Sequence, residues 1–395
     1  VGGDLKKIFW VQALRAFIYG FGSVIMGSAL AAGGLSESRV GLVFAAMLAG
    51  MAVSSVAVGR WGERVGRRRL YRWLFFVAGV AGAAFALTTN LAVLVAAALT
   101  GTLSTDPNES GPITSLEQAM MGQAPAALRS RVFGRYNAVA YLAGAAGALA
   151  AGGPQALRLF IPALPADRRW LLAFPVVAAA CIAVAGRLSP AVEVTGARPA
   201  RPLHQSAGIV RRLAALFAID AGAGGFVTQA FIVFWFRRRF GTGTDVMGLV
   251  FFGAGILQAA SSIAAGRLAN RIGYLNTMVF THLPSNFLLI AVAFMPSLNW
   301  AIAVLLVRFA LSQMDVPARQ AYVTALVLPE ERTAAAAYTN TARYVARPVG
   351  PAAGGVLMQR VAVGAPFVVA GAVKAAYDLM LWVRFRAVKL TPEES

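Results

Sequence analysis

Twelve apolar runs, each long enough to cross a lipid bilayer, alternate with short polar loops along this chain of 395 residues. A crossing helix needs roughly 20 apolar residues. The runs lie at about 8–32, 37–58, 70–89, 91–122, 132–153, 169–187, 212–236, 245–265, 274–295, 298–327, 333–358 and 364–385, and are numbered here as spans 1 to 12. One loop occurs twice: the pattern Gly-Arg-x-x-(Glu/Asn)-Arg-(Val/Ile)-Gly reads GRWGERVG from Gly59 to Gly66 and GRLANRIG from Gly266 to Gly273. The copies are 207 residues apart, close to half the chain, and each sits between two apolar runs. The expectation is an all-α integral membrane protein built by duplication from two six-helix bundles.

Composition agrees. With 58% hydrophobic and 13% charged residues, a soluble protein of this size would have too little polar surface to cover its core. The first run, from Ile8 to Ala32, is long enough to span and has no convincing processing site, so it is read as a helix and not as a cleaved signal. The single cysteine, Cys181, excludes an internal disulfide, and His204 and His282 are too few and too far apart to make a metal site. No cofactor is expected.

A net charge of +20 raises a nucleic-acid reading, which would require basic residues clustered on a soluble face with interleaved aromatics. Their distribution follows membrane topology instead. Of the 36 Lys and Arg, 22 fall on the side of the termini, 8 on the opposite side and 6 within spans. By the positive-inside rule both termini are cytoplasmic, and the excess charge serves orientation and attraction to anionic lipid.

The halves match beyond the loop. Shifted by 202 residues, Tyr136 to Gly153 in span 5 lies over Tyr338 to Gly355 in span 11, and Glu117-Gln118-Ala119 lies over Arg319-Gln320-Ala321. The expected domains are 1–190 and 211–395, joined by a Pro-, Arg-, Ser- and Gly-rich cytoplasmic linker at 191–210.

Twelve spans, two repeated halves and G-x-x-x-(D/E)-R-x-G-R-(R/K) between spans 2 and 3 resemble the major facilitator superfamily of secondary transporters. The residues that carry the loop motif are Gly59, Glu63, Arg64, Gly66, Arg67 and Arg68; in the second copy Asn270 replaces the acid and Arg271 follows it. The segments Phe217 to Phe226, Thr277 to Asn286 and Leu311 to Tyr322 resemble a bacterial group within that family. The resemblance implies a multi-pass protein of the bacterial cytoplasmic membrane that works as a monomer by alternating access, with a cavity lined by spans 1, 4, 7 and 10. Glu63 and the loop arginines would act as a cytoplasmic latch, or the arginines would only fix topology. Gly350-Pro351-x-x-Gly354-Gly355 matches a helix-packing motif that exporters of the family usually have in span 5, here displaced to span 11.

Charged residues near a helix centre cost roughly 2.5 to 3.5 kcal/mol on insertion scales, so they face a cavity or a partner. Most fall on the same four spans: Arg15; Asp106, Glu109 and Glu117; Asp220; Arg308, Asp315 and Arg319. Arg308, Ser312, Asp315, Arg319 and Tyr322 form one helical stripe, as do Arg15 and Tyr19 on span 1 and Asn340, Arg343 and Arg347 on span 11. Thr102, Asp106, Glu109, Ile113 and Glu117 would do so only if span 4 were continuous, and TDPNESGP at 105–112 is expected to break it. Freed backbone groups there would need a polar cavity. Bland readings stand beside these: an in-helix pair for Asp315 and Arg319, snorkelling for Arg15, and a structural pair for Lys374 and Asp378. His282, beside Pro284, reads as a packed histidine of a peripheral helix.

Three functions fit. The first is a proton-coupled exporter of a small organic compound, in which Glu109, Glu117, Asp220 or Asp315 carries the proton. The second is an organic-anion transporter or exchanger using Arg15, Arg319, Arg343 and Arg347 as guanidinium forks. The third is a non-transporting receptor or lipid-handling protein on the same scaffold. The sequence contains no nucleophile–base or metal constellation that would support an enzyme.

Overall fold

The structure, a computed structural model, describes residues 2–106, 111–121, 126–165, 168–193, 203–328 and 331–388. Among them every regular element is helical. Spans 1 to 3 are the single helices α1 (Gly2–Ala32), α2 (Glu37–Val65) and α3 (Arg67–Leu87). Span 4 is divided into α4 (Leu91–Leu99) and α5 (Pro112–Met121); span 5 is α6 (Ala126–Ala150), followed by the short α7 (Gly153–Phe160). Span 6 is a 3-10 turn, Arg168–Leu172, running into α8 (Ala173–Gly186). Span 7 is divided into α9 (Ala207–Gly225) and α10 (Gln229–Phe240), while spans 8 and 9 are α11 (Thr244–Ile272) and α12 (Tyr274–Phe294). Span 10 is divided into α13 (Leu298–Ser312) and α14 (Asp315–Ala325), and span 11 into α15 (Arg332–Ala346) and α16 (Val349–Arg360); span 12 is α17 (Ala365–Phe385). Nine of the twelve are long and apolar enough among the described residues to cross a membrane, the exceptions being spans 4, 5 and 11.

The breaks have local causes. In span 4 the irregular stretch after Leu99 begins with Gly101, whose φ of +69° favours glycine and whose position touches the backbone of Gly50 on α2. Three of its freed carbonyls are taken by other elements: Ser54 Oγ donates to Thr100 O (3.0 Å), Tyr19 Oη to Thr102 O (2.6 Å), and the Ala230 backbone N–H to Thr105 O (3.0 Å). This is the condition for non-helical backbone at membrane depth. The break removes the continuous stripe considered for span 4, and Glu109 lies outside the described residues. In span 10 the five-residue stripe is also interrupted, at Gln313 and Met314, because Pro317 has no N–H to return to the Gln313 carbonyl. Pro348 acts likewise between α15 and α16.

Packing divides the chain into two compact units. The first comprises Val1–Gly196 with Thr228–Ile256, and the second Ala197–Val227 with Leu257–Ser395. The packing boundary thus runs through span 7 at the gap between α9 and α10, and through α11. In the first unit α1 packs along α6, α10 and α8, and α3 along α8. Ile8, Tyr71, Phe75, Met121, Tyr136 and Cys181 contribute to one core there. In the second unit α12 packs on α17 and α13, and α9 on α15 and α17, around a core with Phe217, Val279, Tyr322, Tyr377 and Phe385.

At the start of α9, Glu331 accepts the backbone N–H groups of His204 (2.7 Å), Gln205 (3.0 Å) and Ser206 (3.0 Å). The Ser206 hydroxyl and these amides lower its carboxyl to about 2 from the usual 4.5. A depressed carboxylate favours the folded arrangement above the unfolded value and loses that contribution as pH falls through the folded one. Amides 203–210 should therefore exchange hydrogen faster as pH drops from 4.5 toward 2, relative to intrinsic rates, and Glu331→Gln should remove the pH step. A second expectation concerns span 4: Gly101→Ala should destabilise by more than about 1 kcal/mol, whereas Gly186→Ala, in open space, should be neutral or slightly stabilising, as read by melting in detergent.

Candidate functional site

Each unit buries a cluster of charged side chains drawn from several helices. In the first, Arg15 on α1 is 3% exposed and donates from Nη2 to Glu117 Oε2 on α5 at 2.8 Å. It also donates to Tyr136 Oη on α6 at 3.0 Å and to Gln12, one turn back on α1. Glu117, wholly buried, accepts further bonds from Tyr71 Oη (2.6 Å, on α3) and from the Tyr136 hydroxyl. The Arg15 guanidinium stands 5.4 Å from the Tyr19 ring centroid. Snorkelling is thereby excluded for Arg15, because its charge is neutralised inside the unit and not at the headgroups. Four helices converge on one ion pair, and desolvating such a pair is tolerable only with this degree of hydrogen bonding.

In the second unit the carboxylate is on span 7 and the guanidinium on span 10. Asp220 on α9, 3% exposed, accepts Lys374 Nζ of α17 at 2.5 Å and lies 3.6 Å from Arg319 Nη1 of α14. Arg319 also holds Asp315 Oδ2 at 3.0 Å, the in-helix pair expected from the spacing, and its guanidinium stands 5.6 Å from the Phe217 ring. His282 Nε2 on α12 is 4.0 Å from Asp220 Oδ1, while its Nδ1 is 3.0 Å from Asp378 Oδ1. Asn286 Nδ2 donates to Asp378 Oδ2 at 2.8 Å. The structural pairing expected of Lys374 with Asp378 is replaced: Lys374 turns to Asp220 and Asp378 to His282 and Asn286. In-helix spacing permits a pair, but Asp220 on α9 lies within hydrogen-bond distance of Lys374, and His282 and Asn286 of α12 satisfy Asp378. Arg343 on α15 is within electrostatic reach of Asp220, Asp315 and Arg319, and its buried Nε has no hydrogen-bond partner among the described residues. Arg347 ends α15 half-buried, and Asn340 is exposed.

The two ion pairs are related by the duplication. Glu117 and Arg319 are the aligned residues of spans 4 and 10, and Arg15 and Asp220 lie on the first span of each half. Each half therefore ties its first span to its fourth, with the charges exchanged. The sequence singled out the members on spans 1, 4, 7 and 10. It missed Tyr71, Tyr136 and Gln12 as partners and assigned His282, Lys374 and Asp378 no part in this cluster. The signal for the last three was present, as ionisable groups in the middle of apolar helices.

The duplicated loop folds the same way in both copies, with Gly66 at φ +90° and Gly273 at φ +83° reversing the chain between helices. In the first copy Glu193, which follows α8, accepts the backbone N–H of Arg67 (2.7 Å) and of Arg68 (2.9 Å) at the positive end of α3. The Arg67 guanidinium reaches Ala119 O at 3.4 Å, and that of Arg68 reaches Gly186 O at 3.4 Å. Gly59, Arg64 and Arg271 are exposed, and the side chain of Glu63 lies outside those described. Among the described residues, the acid that meets this loop is Glu193, which nothing in the loop itself announces.

A family model described as Major Facilitator Superfamily matches residues 8–314 and again 213–395. The chain belongs to the major facilitator superfamily. Its all-α membrane fold is the fold of that superfamily's transporters. A curated relative, the uncharacterized membrane protein YJR124C of Saccharomyces cerevisiae (strain ATCC 204508 / S288c), is 24% identical over 429 residues, covering 98% of this chain and 94% of that one. Among solved structures, the nucleoside transporter NupG superposes with a TM-score of 0.73 at 12% identity, covering 97% of this chain and 98% of that one. A bacterial homolog of the human lysosomal transporter Spinster gives 0.74 at 15% identity, covering 98% of each chain. These superfamily structures share the fold with this chain.

Removing one member of a buried pair strands the other charge and costs roughly 3–5 kcal/mol, whereas removing both with apolar replacements costs far less. Arg15→Met and Glu117→Met should each lower the melting temperature in detergent strongly, and the double variant should melt above either single one.

Proposed function

We propose that this superfamily member is a secondary active transporter that exports a small organic compound in exchange for protons, with Asp220 as the carboxylate that takes up and releases the proton. The observation that carries this reading is one buried carboxylate for which Lys374, Arg319 and His282 compete, so that a proton can bind it only as those groups withdraw. A proton on Asp220 releases its hold on α17 and α14 together. Arg319 retains Asp315 as a partner, so the ion pair is exchanged and not abandoned. Protonation is thereby coupled to a rearrangement of helices, which is what a transport cycle requires. Glu117 is the poorer candidate, because Arg15 and two tyrosine hydroxyls donate to its carboxylate, and Arg15 has no second carboxylate among the described residues to turn to. In this reading the two six-span halves are the bodies that move, the protein acts as a monomer in a bacterial cytoplasmic membrane with both termini inside, and the loop arginines with Glu193 brace the cytoplasmic end.

A second reading, organic-anion exchange, is favoured by Arg343. Arg15 and Arg319 each hold a carboxylate, whereas Arg343, near the exposed Asn340, pairs with none among the described residues and leaves its buried Nε without a hydrogen-bond partner there. A substrate carboxylate or phosphate would satisfy it.

Vesicles containing the purified protein, given an inside-acid pH gradient and a trapped pH dye, should release protons when presented with a substrate. The compounds tried should include a nucleoside, the class named for one structural neighbour, and di- and tricarboxylates. Asp220→Asn should abolish the proton-driven component while leaving substrate exchange. Proton flux that persists in Asp220→Asn overturns the assignment, and exchange that is lost in Arg343→Lys without any proton movement favours the second reading.

A further inference from the structure

The loops on the side opposite the termini carry eight basic residues, every one an arginine, on the side that the positive-inside rule depletes. Three of them converge. Arg158 on α7, Arg168 in the 3-10 turn before α8 and Arg237 in the last turn of α10 line one cavity of about 500 Å³, together with Gln155, Trp170 and Thr244. All of these residues belong to the first compact unit.

Neighbouring arginines are accounted for otherwise: Arg238 pairs with Glu37, and Arg239 stacks on the rings of Trp235 and Phe240. The cavity lining contains no carboxylate among the described residues, and Asp245, at the start of α11, is turned toward Gly243. Arg237 is held in place by donation from Nη1 to Thr242 O at 3.0 Å, which leaves its remaining N–H groups for a ligand. Three guanidinium groups around one concavity repel one another unless an anion sits between them, and their fork geometry matches carboxylate and phosphate oxygens. Beside the cavity, Leu159 and Phe160 of α7 are 81% and 84% exposed, as side chains of an interfacial helix are when they rest among acyl chains.

We infer that this vestibule, on the first unit, binds an anion bearing a phosphate or carboxylate group; the Asp220 cluster belongs to the second unit. Its meaning as a capture or release station rests on the transport reading, whereas the binding itself does not. The same chemistry is offered by a soluble organic anion and by a lipid headgroup.

The test is thermal unfolding of the full chain in neutral detergent with inorganic phosphate, with citrate, or with short-chain phosphatidylglycerol, against chloride and short-chain phosphatidylcholine at equal ionic strength. At least one of the three anions should raise the midpoint in a saturable way. Arg158→Gln/Arg168→Gln, which alters no core contact, should weaken that response by about tenfold or more, as loss of charged hydrogen bonds implies. Arg238→Gln, outside the cavity, should respond as the wild type does. Stabilisation by phosphate or citrate identifies a soluble anion, and stabilisation by phosphatidylglycerol alone identifies a headgroup. No response to any of the three, or an equal response in the double variant, overturns the inference. Proton flux plays no part in this readout, so failure of the vestibule and failure of the Asp220 assignment are separately visible.

Discussion

A guanidinium and a carboxylate buried between the first and fourth spans constrain each half of this protein more than any other contact. Neither charge is tolerable alone at that depth, so each fixes the position of the other and of the hydroxyls that complete its shell. Arg15 and Glu117 do this in the first half, and Asp220 and Arg319 in the second, with the signs exchanged. Attraction is indifferent to which helix carries which sign, so a duplicated pair can invert its polarity and still close. A change at one position without the other strands a charge. The inversion is therefore a compensated one, and it makes the halves electrostatically unlike although their folds repeat.

That asymmetry separates the roles of the two clusters. The first is closed: Tyr71 and Tyr136 saturate the carboxylate of Glu117, and little is left to exchange. The second is open-ended, since Asp220, Asp315 and Asp378 share Lys374, Arg319, Arg343 and His282 across α9, α12, α14, α15 and α17. Alternative pairings exist there at modest displacement, and such a network can change state where a saturated one resists it. Broken helices add to this. Spans 4, 7, 10 and 11 are each interrupted partway along, and in span 4 the carbonyls at Thr100, Thr102 and Thr105 are taken by side chains or backbone of other elements.

Much of the fold was legible because the bilayer leaves few solutions. Run length set the spans, and the two copies of the Gly-Arg loop announced the repeat that recurs structurally in Gly66 and Gly273. Proline and glycine in TDPNESGP marked the break in span 4, while Pro317 and Pro348 carried the same information for spans 10 and 11 without being read that way. Of the candidate site, the intramembrane charges were visible as anomalies. Their partners were not: Lys374 has an acid four residues away on its own helix yet bonds to Asp220, which is 154 residues distant. Glu193 likewise meets Arg67 and Arg68 across more than a hundred residues.

By itself, then, the sequence determined that the chain crosses the membrane many times as a duplicated helical protein, and which ionisable residues must find partners there. Those are consequences of solvation, a property each segment carries alone. Only the tertiary structure decided which charge meets which, which carboxylate is saturated and which is contested, and that three arginines, from α7, the 3-10 turn before α8 and α10, share one cavity. Pairing depends on distances between helices that are remote in sequence, and in a low-dielectric interior a shift of one or two ångströms selects among partners that spacing along a helix leaves equally plausible.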